Sequence, residues 1–361
     1  MNSFCLKALI TLSPFACAAP QTPHPVATVG PGHEALHYNG RLRQNKDSVT
    51  IFWPGTTVRF KFRGTGVKAY LRDERGENYF NVVIDQDSLQ YFKTGRQKSA
   101  YVLAENLRDS IHTLELVKRT EWDKGKTWFY GLQIDGELLQ AEPARTRTIE
   151  FFGNSITAGY AIEDYSGGDS PDSTYTNNYA TYAAITARYF NANYYCTVKS
   201  GIGILVSWFP LTMPEMYDRL DPEDPQNKWD FSTVQPQVVV VNLFQNDSWL
   251  INMPDHESFK QRFGAHRPDE KQIVAAYKDF IIKLRNVYPQ AHIICALGCM
   301  DAVKENSPWP GYVSAAVKSL ADPRVYTHFF PFLSKAGHPR EKENREMAES
   351  LISFIENNIE W

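Results

Sequence analysis

Four valines in a row, Val238 to Val241, are the stretch of this sequence that admits the fewest folds. A continuously apolar, β-branched run reads as a strand buried on both faces, the condition of strands in a parallel sheet covered by helices. Its surroundings agree. From Arg147 onward, strand-like runs at Thr148 to Phe152, Asn193 to Val198, Gln237 to Leu243, His292 to Leu297 and Val325 to Phe329 alternate with segments of 3.6-residue apolar period. One such helix carries Tyr179, Tyr182, Ala183, Thr186, Tyr189 and Phe190. Another carries Ile273, Tyr277, Phe280 and Ile281 and opens on Asp269 and Gln272 in capping-box spacing. The last runs from Glu341 to about Asn358.

Residues 27–140 follow a different rhythm. Val58, Phe60 and Phe62 alternate with polar neighbours, Gly64-Thr65-Gly66 reads as a turn, and further short alternating strands follow up to Ile134. Period-two alternation with regularly spaced turns argues a β-sandwich. The boundary belongs at residues 141–146, so the expected organisation is a β-sandwich over 27–140 and an α/β/α unit over 147–361. Residues 1–19 read as a signal peptide: Lys7, the apolar Ala8 to Phe15, then Ala16-Cys17-Ala18 as a small-residue cleavage site. Lipoprotein anchoring at Cys17 is the weaker alternative, because Pro14-Phe15-Ala16 suits it poorly. The expectation is export, to the periplasm or beyond.

A net charge of −3 gives no reason to expect nucleic acid or an anionic membrane surface as partner. No run is long enough to span a membrane as a helix. Beyond the signal only Cys196, Cys295 and Cys299 remain, so no full disulfide framework is implied, though a Cys295–Cys299 bridge stays open. No His, Cys, Asp or Glu cluster has ligand spacing, so no metal or other cofactor is expected.

The chemistry-bearing residues follow strands of the second unit, where open α/β sheets bind ligands. Thr148 to Phe152 stops at Gly153, and Ser155 stands two residues later, before Gly159. A serine there serves equally as a nucleophile or as a turn residue capping backbone groups. Ser200-Gly201 follows the second strand; alone it reads as a strand-end turn, but a glycine N–H there is also suited to an oxyanion. Asn246-Asp247 follows the valine strand. Its amide is a candidate oxyanion donor, with helix or turn capping as the alternative. Gly337-His338-Pro339 precedes the last helix, whose start the proline fixes. Of nine histidines, His338 is the candidate base for Ser155.

Gly153-Asn154-Ser155-Ile156-Thr157 with Gly159-Tyr160 resembles the first block of the SGNH (GDSL-type) hydrolases, with asparagine in place of the usual aspartate. Gly201, Asn246 and His338 are similar to the second, third and last blocks, in order. The preceding half, with Trp53-Pro54-Gly55-Thr56-Thr57-Val58 and Asn78-Tyr79-Phe80-Asn81, resembles the jelly-roll domain of carbohydrate esterase family two. The resemblance implies removal of acetyl groups from a polysaccharide or oligosaccharide such as xylan or glucomannan. Ser155 would be the nucleophile, His338 the base, and the Ser155 and Gly201 amides with the Asn246 side chain the oxyanion hole.

Two positions depart from the pattern. Phe244 replaces the glycine that usually opens the third block, and Lys335-Ala336 stand where an aspartate usually precedes the histidine. No local carboxylate then orients His338. The resemblance to family two implies a Ser–His dyad with a backbone carbonyl orienting the imidazole. Glu341 or Glu343 is the alternative, although both read better as first-turn helix residues. Trp208 and Trp249 belong on loops at the same edge, as sugar-stacking faces or as packing between domains. Two other classes fit parts of the sequence. Asn154, Phe244 and the missing aspartate suggest a non-catalytic carbohydrate-binding protein, and Phe244 suggests an esterase or lipase for another acyl group.

Overall fold

A computed structural model of the chain describes residues 25–334 and 336–361. The expected signal segment, residues 1–19, lies outside the described residues. The first half is antiparallel. Its strands are β1 (Val26–Val29), β2 (His37–Asn39), β3 (Leu42–Gln44), β4 (Val49–Ile51), β5 (Thr57–Asp73), β6 (Tyr79–Ile84), β7 (Ser88–Lys93), β8 (Ser99–Ala104), β9 (Ser110–Lys118) and β10 (Thr127–Leu138). They join in the order β3-β4-β10-β5-β9-β6-β7, with β1 on β10 and β2 and β8 on β5. Phe60, Phe62, Leu71, Phe80, Leu114, Leu116 and Phe129 form the core they enclose.

The expected turn at Gly64-Thr65-Gly66 is absent: β5 runs through it. Its partner β10 shifts register between Asp135 and Gly136, pressing its backbone onto Gly64, where a Cβ would collide with the Asp135 carbonyl oxygen. The glycine serves a close strand approach, not a reversal.

The second half is built on five parallel strands, β11 (Thr148–Gly153), β12 (Asn193–Val198), β13 (Val238–Asn242), β14 (His292–Leu297) and β15 (Val325–Phe329), in the order β12-β11-β13-β14-β15. Its helices are α1 (Ser155–Ala158), α2 (Tyr182–Tyr189), α3 (Met213–Met216), α4 (Gln245–Leu250), α5 (Glu257–Phe263), α6 (Glu270–Val287), α7 (Trp309–Leu320) and α8 (Glu341–Asn358). Alternation along the strands divides the core. Phe152, Val239, Val241 and Ile293 pack with Ile273, Tyr277 and Phe280 of α6 and Trp309 and Val313 of α7. Phe151, Val238, Val240 and Ile294 face Tyr182 of α2 and Met347, Leu351 and Ile355 of α8. Burying each such side chain contributes about 1.5–3 kcal/mol. The chain leaves β11 for β12 on one side and returns to β13 on the other. The loops after β11 and β13 therefore diverge and open a crevice at their carboxyl ends.

The halves are joined by a buried charge. Glu150, in the middle of β11, is 2% exposed, and Arg41 from the antiparallel half is 1% exposed. Arg41 Nη2 donates to Glu150 Oε1 at 2.8 Å, and its Nη1 to the Tyr217 and Arg219 carbonyls at 2.6 and 3.1 Å. Thr197 and Tyr288 hydroxyls donate to the same carboxylate. Breaking such a pair from one side leaves an uncompensated buried charge, at about 3–5 kcal/mol. Arg41→Met is expected to lose about that much stability in urea denaturation at neutral pH, and adding Glu150→Gln to recover more than half of it. A loss below about 1 kcal/mol for the single variant would show that the pair does not hold the seam.

Candidate active site

Gly153 ends β11 and Asn154 caps α1, its Oδ1 accepting the Ile156 N–H at 3.0 Å. Asparagine thus performs the capping task with its side-chain oxygen, and Ser155 becomes the first residue of a helix at the crevice. Across the crevice, His338 Nε2 lies 2.8 Å from Ser155 Oγ. His338 Nδ1 lies 2.8 Å from Asp169 Oδ2, and the same carboxylate takes the His338 backbone N–H at 3.0 Å. Arg340 completes the set, its Nη2 2.8 Å from Asp169 Oδ1.

The orienting group is therefore a carboxylate, Asp169, not the backbone carbonyl that the resemblance implied. It comes from the loop after α1. Gly337 makes room for it. At φ +76° its missing Cβ would sit 2.6 Å from Asp169 Oδ2. Burial raises the Asp169 pKa, but hydrogen bonds from the His338 side chain and backbone and the Arg340 guanidinium outweigh it, holding the group well below the usual carboxylate range. Tyr160 closes this side, its ring 4.9 Å from the imidazole and its hydroxyl donating to the Asp169 carbonyl at 3.2 Å.

The remaining expected residues gather at the same edge. Gly201 follows β12 with φ +83°, and among the described residues neither its N–H nor that of Ser155 donates to another protein group. Asn246 lies in the first turn of α4, 3% exposed. Its Nδ2 donates to the Ile202 carbonyl at 2.8 Å and its Oδ1 accepts from Trp208 Nε1 at 3.1 Å, which fixes the amide's orientation. Asp247 braces the same loop, accepting the Ile204, Leu205 and Val206 amides at 3.0, 2.7 and 3.1 Å. Burial nevertheless pushes its pKa up to about 6.

Phe244 departs from the expectation that it shapes the pocket. Its backbone has φ +80°, the left-handed conformation for which glycine is the ready choice, but its ring is fully buried 4.7 Å from Tyr277 and 5.0 Å from Trp309. Core packing offsets the backbone strain. Trp208 is 41% exposed on a loop, whereas Trp249 lies not on a loop but within α4, half-buried, packed on the α2–α8 side and donating from Nε1 to Asp301 at 3.2 Å. Cys196, Cys295 and Cys299 are buried free thiols, each pushed up to about 12 by burial. No helix among the described residues is long and apolar enough to cross a membrane.

Comparison with known proteins bears on this geometry. The family described as carbohydrate esterase 2 N-terminal matches residues 38–143. Cellulase/esterase CelE of Acetivibrio thermocellus is 33% identical over 337 residues, covering 90% of this chain but only 39% of that protein. An acetylxylan esterase / glucomannan deacetylase of Cellvibrio japonicus is 23% identical, with 94% and 92% covered. A family two carbohydrate esterase from Clostridium thermocellum, solved with cellohexaose, superposes with a TM-score of 0.79 at 33% identity, covering 89% of this chain and 98% of that one. A Cellvibrio japonicus family two structure, at 22% identity and a TM-score of 0.81, shares the fold.

Asp169→Asn tests the carboxylate's part. A neutral amide permits the wrong imidazole tautomer, so kcat is expected to fall by on the order of a thousandfold with little change in KM. Stability adds a second readout. A depressed carboxylate contributes stability above its unfolded value, about 3.9, and loses it as pH falls through the folded one. The thermal-stability gap between wild type and variant should therefore be open at pH 7 and close below about pH 4.

Proposed function

The chain belongs to carbohydrate esterase family two, and we propose that it removes O-acetyl groups from a carbohydrate by a serine–histidine–aspartate mechanism. The observation that carries this reading is the unbroken hydrogen-bond path from Asp169 through His338 to Ser155 at the crevice. Ser155 Oγ attacks the acetyl carbonyl and gives its proton to His338 Nε2. The ester C–O bond then breaks and the same proton passes to the leaving sugar oxygen. Water, deprotonated by His338, attacks the acyl-enzyme; the bond from the acyl carbon to Ser155 Oγ breaks, His338 returns the proton to Ser155 Oγ, and acetate leaves. Asp169 keeps the other ring nitrogen protonated and stabilises the imidazolium between these steps. In this reading the Ser155 and Gly201 amides and the Asn246 side chain act as oxyanion donors, each worth roughly a hundred- to a thousandfold in rate.

Names of relatives such as acetylxylan esterase / glucomannan deacetylase support an acetylated polysaccharide or oligosaccharide of that kind as substrate. An intact path through three residues disfavours a purely binding role, and the burial of Phe244 removes the feature that suggested a different acyl group. We further read the antiparallel half, residues 27–140, as a jelly-roll domain, 147–361 as the SGNH hydrolase domain, and the protein as exported. Trp208 and Trp249 are read as the sugar-facing aromatics, Trp208 being the more exposed.

Ser155→Ala is expected to abolish acetate release from acetylated xylan and glucomannan while the protein stays folded; retention of more than a few per cent of turnover would remove Ser155 from the nucleophile's role. Trp208 has two separable contributions, a stacking face and the Nε1 bond to Asn246. Trp208→Phe should mainly lower kcat, by several-fold on polysaccharide and p-nitrophenyl acetate alike. Trp208→Ala should in addition raise KM several-fold on the polysaccharide alone. If both variants behave identically on both substrates, stacking at Trp208 is to be abandoned.

A further inference from the structure

The residues just ahead of Gly201 are held from the antiparallel half. Glu121, 3% exposed, accepts the Ser200 N–H on Oε2 at 2.6 Å and the Ser200 hydroxyl on Oε1 at 2.5 Å. Asp123 pairs with the Lys199 ammonium at 2.8 Å. Glu121 stands directly before the single helical turn Trp122–Lys124 that joins β9 to β10. Beneath it the fully buried Lys118 ammonium donates to the carbonyls of Phe52, Glu121 and Gly125 at 2.7, 3.2 and 3.3 Å. That anchor is rigid. On the far side, the Gly201 carbonyl accepts the Trp208 N–H at 3.0 Å. Gly201 is therefore flanked by held groups on both sides, the Ser200 N–H and hydroxyl before it and its own carbonyl after it.

We propose that Glu121 is a positioning residue for the reaction: its bidentate hold on Ser200 aims the neighbouring Gly201 N–H at the place where the oxyanion forms. The inference rests on reading Gly201 as an oxyanion donor. Such a donor needs fixing. Glycine has the widest backbone freedom of any residue, and an oxyanion donor contributes only when held in place before the charge develops. Glu121's own charge opposes a developing anion nearby, and Lys199 counters it. Burial works against the Lys199 charge, but Glu121 and Asp123 outweigh burial and keep it protonated. Two carboxylates of the antiparallel half thus supply a geometric clamp together with the means of neutralising it.

The test uses the full chain and three variants, Glu121→Ala, Glu121→Gln and Ser200→Ala. The readouts are kcat and KM on p-nitrophenyl acetate, the affinity for phenylboronic acid as a tetrahedral-anion mimic, and the melting temperature. For Glu121→Ala, kcat should fall by about 10- to 100-fold with KM within about twofold, and boronate affinity should fall by a similar factor. Glutamine can accept from the Ser200 N–H and donate to its hydroxyl oxygen, so Glu121→Gln should recover most of kcat. A kcat within twofold of wild type for the alanine variant, a loss confined to KM, or equal losses for alanine and glutamine would overturn the proposal. Should Glu121→Ala not fold, Ser200→Ala decides: a several-fold lower kcat at unchanged KM supports the clamp, and an unchanged kcat overturns it. Failure of the underlying esterase reading looks different, since the wild-type chain would then release no acetate, or Ser155→Ala would retain that release, whatever the Glu121 variants do.

Discussion

A carboxylate buried in the middle of a parallel strand is the constraint on which the rest of this structure turns. Glu150 lies five residues before Ser155 on β11, with helices covering both faces of the sheet. An unpaired charge there is too costly to leave without a partner. The parallel half supplies hydroxyls from Thr197 and Tyr288 but not the cation. That comes from Arg41, which also lies near the rings of Phe152, Trp229 and Phe231 at 5.7, 5.5 and 5.3 Å. The strand that leads into Ser155 is therefore electrostatically complete only when the antiparallel half is docked. Trp53 reinforces the joint, buried in the core of the other half with its Nε1 on the Leu220 carbonyl at 2.9 Å.

This coupling explains what was and was not legible in the sequence. Ser155, Gly201, Asn246 and His338 stand where a periodic signal stops, so the end of a strand or the start of a helix marks each of them. The parallel sheet was legible for the same reason, through the valine run and the 3.6-residue periods. Asp169 has no such marker. It lies in a polar stretch without period, 169 residues from the histidine it holds. Its one local trace is Gly167-Gly168 just ahead, with Asp169 itself at φ +50°. Arg41 and Glu121 are equally silent, because a charged residue in an alternating strand region reads as solvent-facing until the second half covers it. Phe244 shows the converse: a motif glycine is needed for a backbone angle, and the sequence cannot reveal that a buried ring has taken over the position.

Around the crevice, polar side chains are spent on fixing loops. Asp247 is committed to three amides, and both ends of the Asn246 amide are engaged. The Asn-Asp pair closing a valine strand therefore satisfies the loop from Ile202 to Val206. Since an unmade buried hydrogen bond costs about 1–3 kcal/mol, this loop is held by more than its backbone. That rigidity is what an oxyanion site requires, because a donor that must reorient during the reaction forfeits much of its benefit.

The same reasoning extends to Asp169. Asp169 is delivered by a loop rather than by the turn carrying His338, so its placement relies on whatever holds that loop. Within the loop, Asp164 accepts the Ser166 and Ser170 amides at 3.1 and 2.8 Å. From outside, Arg119 of the antiparallel half, 1% exposed, reaches Glu163 at 2.5 Å and the Thr174 and Thr176 carbonyls at 3.1 and 3.2 Å. Asn81 joins it, donating to Asn177 at 2.9 Å. Arg119 and Glu121 are two residues apart at the end of β9. One braces the loop that supplies Asp169, and the other grips the loop that carries Gly201. A single short segment of the antiparallel half thus ties together two parts of the site that the parallel sheet alone would leave on independent loops.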